Sequence, residues 1–423
     1  MLFRSVATED RLMEAALRRG VGSVTVDGVR EQVRQANLIR GERAGEKLAT
    51  TREVLKEEED LVSMARDSRG TCKPLVVGEW SPTNDKLNGE QRGAVEHLLR
   101  SMDRVMAVRG GAGVGKTSLM KEAVAAIKKA GRKVMAFAPS AEASRGLLRD
   151  EGFGDAETVA RLLVDKELQA RAKGQVIWID EAGLLGVGAM KRVFDIAREQ
   201  GARVILTGDT RQHTAVERGD AMRLLETSGA LVPADVRKVQ RQRGTYKEAV
   251  ESISKGDLAE GMGRLDAMGA IVEIERAQRY DRIADDYVRL TGAGKSVLAV
   301  SPTHREGDEV TNKVRERLRK AGRLRGSDKS FASFDNLGWT EAQRRDTAMY
   351  EAGHTVRFHQ HVKGFRKGER ASVIANAGDQ GVLVRNAAGL TKLLPLDEAK
   401  RFQVYEERAL DVAMGERLRI TEN

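Results

Sequence analysis

The stretch Gly110-Gly-Ala-Gly-Val-Gly115-Lys116-Thr117 constrains this chain more than any other feature. It fits the pattern GxxxxGK followed by Ser or Thr, which works as the turn between a buried strand and a helix. The apolar run Val105–Val108 supplies the strand, and Ser118–Ala130 has helical character. In that setting the glycines let backbone N–H groups close around phosphate oxygens, and the helix start adds its positive dipole end. Gly110, Gly111, Ala112, Gly113, Val114, Gly115, Lys116, Thr117 and Ser118 then form a cradle for the phosphates of ATP. Lys116 reaches the β- and γ-phosphates, and the Thr117 hydroxyl takes a position on Mg²⁺. The plain alternative is a glycine-rich turn with a chance Lys-Thr. The strand before it and the helix after it argue against that.

A site of this kind needs a carboxylate at the end of a second strand. Val176-Ile-Trp-Ile-Asp180-Glu181 provides one, with Asp180 expected to hold Mg²⁺ through water and Glu181 to orient and polarise the attacking water. A third run ends Leu206-Thr207-Gly208-Asp209-Thr210-Arg211-Gln212, which places Gln212 as a sensor of the γ-phosphate. Val105–Val108, Val134–Ala138, Val176–Ile179 and Val204–Leu206 are short and apolar throughout, as strands buried on both faces are, and helical stretches separate them. The fold class is therefore α/β, with a P-loop parallel sheet. Two more runs, Ala270–Ile274 and Val297–Val300, predict strands of a second domain of the same class.

The rest of the chain divides by pattern. Met1–Lys86 reads as a polar helical extension, with Leu12, Ala15, Ala16 and Val21 at helical spacing. Thr50 and Glu53 suggest a capping box opening a helix over Val54–Arg66, and Ser68–Asn84 suggests a linker. Lys313–Arg325 is a basic helix whose charges fit either a solvated face or phosphate contacts. Beyond about Glu351, Thr355–Phe358, Ala371–Ile374 and Gly381–Val384 read as strands of a small barrel. The expected domains are 1–86, 87–228, 229–345 and a β-rich 346–423. His354, His359 and His361 cluster, but no Cys completes a zinc site with them.

Charge narrows the partners. Lys and Arg number 73 against 63 Asp and Glu, a net +10 that favours a polyanion, nucleic acid or an anionic membrane. No run is long and apolar enough to span a bilayer, and Met1–Gly20 is no signal peptide, so nucleic acid is the better match. The lone Cys72 gives no intrachain disulfide and no sign of an oxidising compartment. Aromatics are only 4% of residues and Trp178 lies inside a strand, so Lys and Arg on phosphates should dominate any grip on DNA, with strong salt dependence.

In this order the nucleotide segments resemble those of superfamily 1 helicases of the RecD-like branch, specifically the motor half of conjugative relaxase–helicases of the TraI/TrwC type. Leu87-Asn-Gly-Glu-Gln91-Arg-Gly-Ala-Val95 is similar to the family's adenine-reading segment, which puts Gln91 on the base. Ala138-Pro139-Ser140 through Leu147, and Thr158-Val-Ala-Arg-Leu-Leu163, resemble its DNA-contacting segments, which implies DNA contacts at Pro139, Ser140 and Thr158. Gly208 through Gln212-His213 resembles its coupling motif, and implies a DNA role for His213. Gln240-Arg241-Gln242-Arg243 resembles the arginine motif of the second motor domain, with Arg241 reaching the γ-phosphate across the cleft. Phe3-Arg4-Ser5-Val6 and Thr50-Thr51-Arg52-Glu53 resemble the stretch joining relaxase to helicase, and Val356–Asn423 the small SH3-like insertion.

The resemblance implies an ATP- and Mg²⁺-dependent motor moving 5′ to 3′ on single-stranded DNA, in plasmid transfer within a bacterial cytoplasm, alongside other conjugation proteins. The nicking domain's tyrosines and three-histidine site are not found, and the last two helicase motifs would follow Asn423. Two rivals stay open: a motor that binds ATP and DNA with little unwinding, and a different P-loop ATPase.

Overall fold

The computed structural model describes residues 5–43, 45–111, 113–210, 218–238, 240 and 244–418. They form two compact units, Met1–Leu12 with Gln35–Ile271, and Met13–Arg34 with Val272–Asn423.

The chain opens with β1 (Ala7–Thr8), α1 (Glu9–Arg19), α2 (Val26–Gln35), β2 (Leu38–Arg43) and β3 (Glu46–Thr51), the strands pairing antiparallel in the order β1-β3-β2. Helix α3 (Arg52–Asp67) follows, and its cap corrects the expected one. Thr51, not Thr50, caps it by accepting from the Val54 N–H. Thr50 is still in the ladder opposite Ile39, and its hydroxyl donates to the Ser5 carbonyl. Nor is α3 a detached extension: Leu61 and Ala65 are buried in the core beside Val187 and Met190 of a later helix.

The expected linker over 68–84 is also packed. Leu75 is buried, Cys72 and Leu75 donate backbone bonds to Met102 and Leu99, and the buried Glu122 carboxylate takes the Thr83 N–H and hydroxyl. With its backbone donors engaged this way, the stretch cannot act as a free tether.

Next come α4 (Gly89–Arg100), β4 (Val105–Gly110), α5 (Lys116–Lys129), β5 (Val134–Ala138), a π-helix over Glu142–Leu148, β6 (Glu157–Thr158), α6 (Val159–Val164), α7 (Lys166–Arg171), β7 (Val176–Ile179), α8 (Val187–Glu199), β8 (Arg203–Gly208), α9 (Ala221–Thr227) and β9 (Ala234–Val236). The sheet is parallel in the order β6-β5-β7-β8-β4-β9. Alternate residues of one strand feed opposite faces. Ile177 and Ile179 pack into one core with Val204 and Leu206, while Val176 and Trp178 pack into the other with Met106 and Ile205. Helices α10 (Gly244–Lys255) and α11 (Leu258–Ala267) complete the unit. Because β9 joins this sheet beside β4, the first unit runs past the boundary expected at 229.

The strands expected at Ala270–Ile274 and Val297–Val300 do not form. Among the described residues between β9 and the next strand there are helices only, α12 (Arg276–Gly292) and α13 (His304–Lys320) being the later two. In the basic helix, Lys313, Arg315, Arg317, Arg319 and Lys320 are engaged in ion pairs with Asp281, Asp285, Glu316, Asp328 and Glu416, which favours a structural role for them.

The β-rich part comprises β10 (Arg325–Asn336), α14 (Glu341–Arg345), β11 (Thr355–Phe358), β12 (Arg370–Asn376), β13 (Val382–Asn386), β14 (Thr391–Leu393) and β15 (Phe402–Met414). Its strands pair antiparallel in the order β10-β15-β11-β12-β13-β14, so the sheet begins at Arg325, before the expected 346. Val356, Phe358, Phe365, Val384, Phe402 and Val404 form its core. His354 accepts the Glu351 N–H and lies edge-on to Trp339, and no group of three metal-binding side chains occurs among the described residues.

Candidate active site

Three strand ends of the parallel sheet converge on one cleft of about 520 Å³. The loop after β4 contributes Gly111, Gly113, Gly115, Lys116 and Thr117; the end of β7 contributes Asp180 and Glu181; the end of β8 contributes Gly208 and Asp209. Ligands of open α/β sheets bind at this carboxyl edge.

Local chemistry explains the loop. Gly113 and Gly115 have φ of 81° and 82°, the left-handed region where a side chain is strained. Gly110 is fixed by space instead: a Cβ there would lie 2.8 Å from the Val114 side chain. The Lys116 ammonium donates to the Gly110 carbonyl at 2.8 Å and the Gly111 carbonyl at 3.5 Å, inside the turn. Thr117 sits in the first turn of α5 and lines the cleft. Val114 is buried, and Ser118 is exposed on the same turn.

Gln91, which the resemblance puts on the base, is packed against the phosphate loop. It is 3% exposed and lies beneath the loop. Its amide nitrogen donates to the Val114 and Gly115 carbonyls at 2.9 and 3.3 Å, and its amide oxygen accepts from the Asn88 N–H as half of a capping box. Both amide hydrogens are spent on the loop. Gln91 thus braces the loop in this structure.

The acidic pair is held from behind. Asp180 accepts a 2.8 Å bond from the Thr207 hydroxyl, and that same oxygen takes the Trp178 indole N–H at 3.1 Å. Trp178 is fully buried, so this relay runs from the core to the carboxylate. Trp178 is core as expected from its place inside a strand, and Thr207, in the Leu206–Asp209 segment, is a site residue that no motif marks.

Glu181 has φ 53°, making it the non-glycine residue with positive φ among those described. Such geometry costs roughly 1–3 kcal/mol and is characteristic of functional sites. Burial and the neighbouring Asp180 push the Glu181 carboxyl above the ordinary range, and Lys116 partly offsets this. A carboxylate shifted this way holds a proton more readily.

The cleft has further walls that sequence reasoning missed. Ala143, Leu147, Leu148 and Glu151 come from the π-helix and the turn after it, and Gln240 comes from beyond β9. Ser140 starts that helix by accepting from the Ala143 N–H, and Thr158 caps α6 by accepting from the Arg161 N–H. Pro139 directly follows β5. Ala112, Gln212, His213 and Arg241 lie outside the described residues.

A family model for the AAA domain matches residues 86–276. The chain is also similar to a probable conjugal transfer protein TraA of Sinorhizobium fredii (strain NBRC 101917 / NGR234), 28% identical over 281 residues, covering 64% of this chain and 25% of that protein. It is similar to the multifunctional conjugation protein TraI of Escherichia coli (strain K12), 22% identical over 466 residues, covering 96% of this chain and 26% of that protein. A conjugal transfer protein TraA of Rhizobium radiobacter is 26% identical over 349 residues, covering 79% of this chain and 30% of that protein. The chain spans 25–30% of the length of these relatives. No described helix is long and apolar enough to cross a membrane.

Proposed function

We propose that this chain is the motor part of a conjugative DNA helicase, coupling ATP hydrolysis to 5′ to 3′ movement on single-stranded DNA in the bacterial cytoplasm. The observation that carries the reading is the convergence of the AAA domain's loop, Asp180 and Glu181 on one cleft. The similarity to proteins named for conjugal transfer supplies the setting. The residues present fit Mg²⁺-ATP. Thr117 and Asp180 would hold the ion through oxygen, which would supply positive charge beside Lys116 for the transferring phosphoryl group. Glu181 takes the proton of the attacking water. Gln212 and Arg241 respond to the γ-phosphate, and Pro139, Ser140, Thr158 and His213 face DNA. The chain's +10 charge suits a polyanionic track.

The test is ATP turnover with and without single-stranded DNA. Wild type should be stimulated by DNA, and Lys116→Ala should lose the stimulated turnover. Equal activity in the two proteins would sink the assignment of Lys116. Turnover indifferent to DNA would favour a P-loop ATPase of another kind.

A further inference from the structure

The first turn of α4 carries two adjacent side chains that diverge. Gln91 reaches inward to the phosphate loop. The neighbouring Glu90 takes other partners: its Oε2 accepts from the backbone N–H groups of Arg237 at 2.7 Å and Lys238 at 2.9 Å. Those residues directly follow β9, whose Val236 pairs with Gly110 at the start of the loop. Two residues further on, the Gln240 N–H donates to the Gly113 carbonyl at 2.7 Å, in the middle of the loop. The strand leaving β9 is thus held at three successive points: the ladder at Val236, the Glu90 carboxylate, and the loop itself. Arg241 is the next residue along.

We infer that Glu90 is a positioning residue that fixes the register of Arg237, Lys238 and the cleft-lining Gln240 on the phosphate loop. The inference rests on the proposed ATPase reading. Both amides point at one carboxylate oxygen, and charge-assisted bonds of this sort are about twice as strong as neutral ones. Without it, the backbone N–H groups of 237 and 238 lose this acceptor and the stretch gains rotational freedom there. An arginine that must stabilise charge on a phosphoryl group tolerates little misplacement, and a shift of about 1 Å can cost on the order of 100-fold in rate. Because Gln91 holds the loop independently, nucleotide binding should survive loss of Glu90.

A rival explanation is that Glu90 merely sits at a helix N-terminus, where a negative charge is favourable. Gln separates the two, since it keeps an accepting oxygen and loses the charge. Glu90→Ala, Glu90→Gln and wild type, as full chains, are compared in steady-state ATPase with single-stranded DNA and in amide hydrogen exchange over 236–245. The positioning role gives a kcat loss of roughly 100-fold in Glu90→Ala, a KM for ATP changed less than twofold, and faster exchange over 237–240. Glu90→Gln should recover most of kcat and of the protection. Unchanged exchange in Glu90→Ala, an unchanged kcat, or equal defects in Ala and Gln would each overturn it. Wild type without any ATP turnover would instead overturn the ATPase reading, while the exchange comparison still decides whether Glu90 holds the segment.

Discussion

Val176–Ile179 and Val297–Val300 are apolar runs of the same length and kind, and they end up in opposite places. The first is β7, fully buried, with β5 on one side and β8 on the other. The second forms no strand, and Leu298 and Val300 are 86% and 81% exposed. Both runs are apolar throughout, but they differ in ladder partners. A strand interior must have its N–H and C=O groups paired before it can leave water. β7 is paired along both edges, whereas the described residues around 297–300 offer no neighbouring strand.

The largest expected effect tests the buried side of this contrast. Trp178→Ala should cost about 3–5 kcal/mol, seen as a lower midpoint in chemical denaturation. It also removes the indole that orients Thr207, and with it the support of Asp180. A loss under about 1 kcal/mol would mean β7 is less tightly held than its burial indicates.

A smaller effect is expected at the sheet's rim. Glu157 on β6 is 8% exposed and takes hydrogen bonds from Arg145, Arg149 and Arg161, which tie the π-helix to α6. Burial pushes its pKa up, but the hydrogen bond and charge of Arg145, with Arg161 and Arg149, outweigh this and hold it below the ordinary range. Its stabilising effect is therefore complete above the ordinary glutamate range and is lost as pH falls through the lowered value. Glu157→Ala should cost about 2 kcal/mol at neutral pH. The difference from wild type should shrink on acidification, and a constant difference down to low pH would count against the charged cluster.

The smallest effect belongs to the exposed run. Leu298→Ser should change stability by less than about 0.5 kcal/mol. A cost several times larger would mean that this run is paired and buried after all.

These cases show what could be read from residues alone. Val134–Ala138 and Val176–Ile179 were legible to the residue because parallel strands are apolar on both faces. The phosphate loop and Asp180-Glu181 were legible because their chemistry demands fixed residue types at fixed spacing. Thr51 was missed as the cap because Thr50 and Thr51 fit the pattern equally, and only the β2–β3 register separates them. The packing of 68–84 was invisible because it depends on partners such as Glu122 and Leu99 that no local pattern links to it. Glu90 and Thr207 act on groups 147 and 27 residues away, so their roles appear only with the fold.

The strand order has a consequence for biosynthesis. β4, which carries the phosphate loop, pairs with β8 and β9, and Val105 faces Val204, a separation of 204 − 105 = 99 residues. At roughly 5–20 residues per second, a ribosome needs about 5–20 s to make that stretch. For that interval the strand has neither of its neighbours, and its apolar face stays open to whatever binds nascent chains.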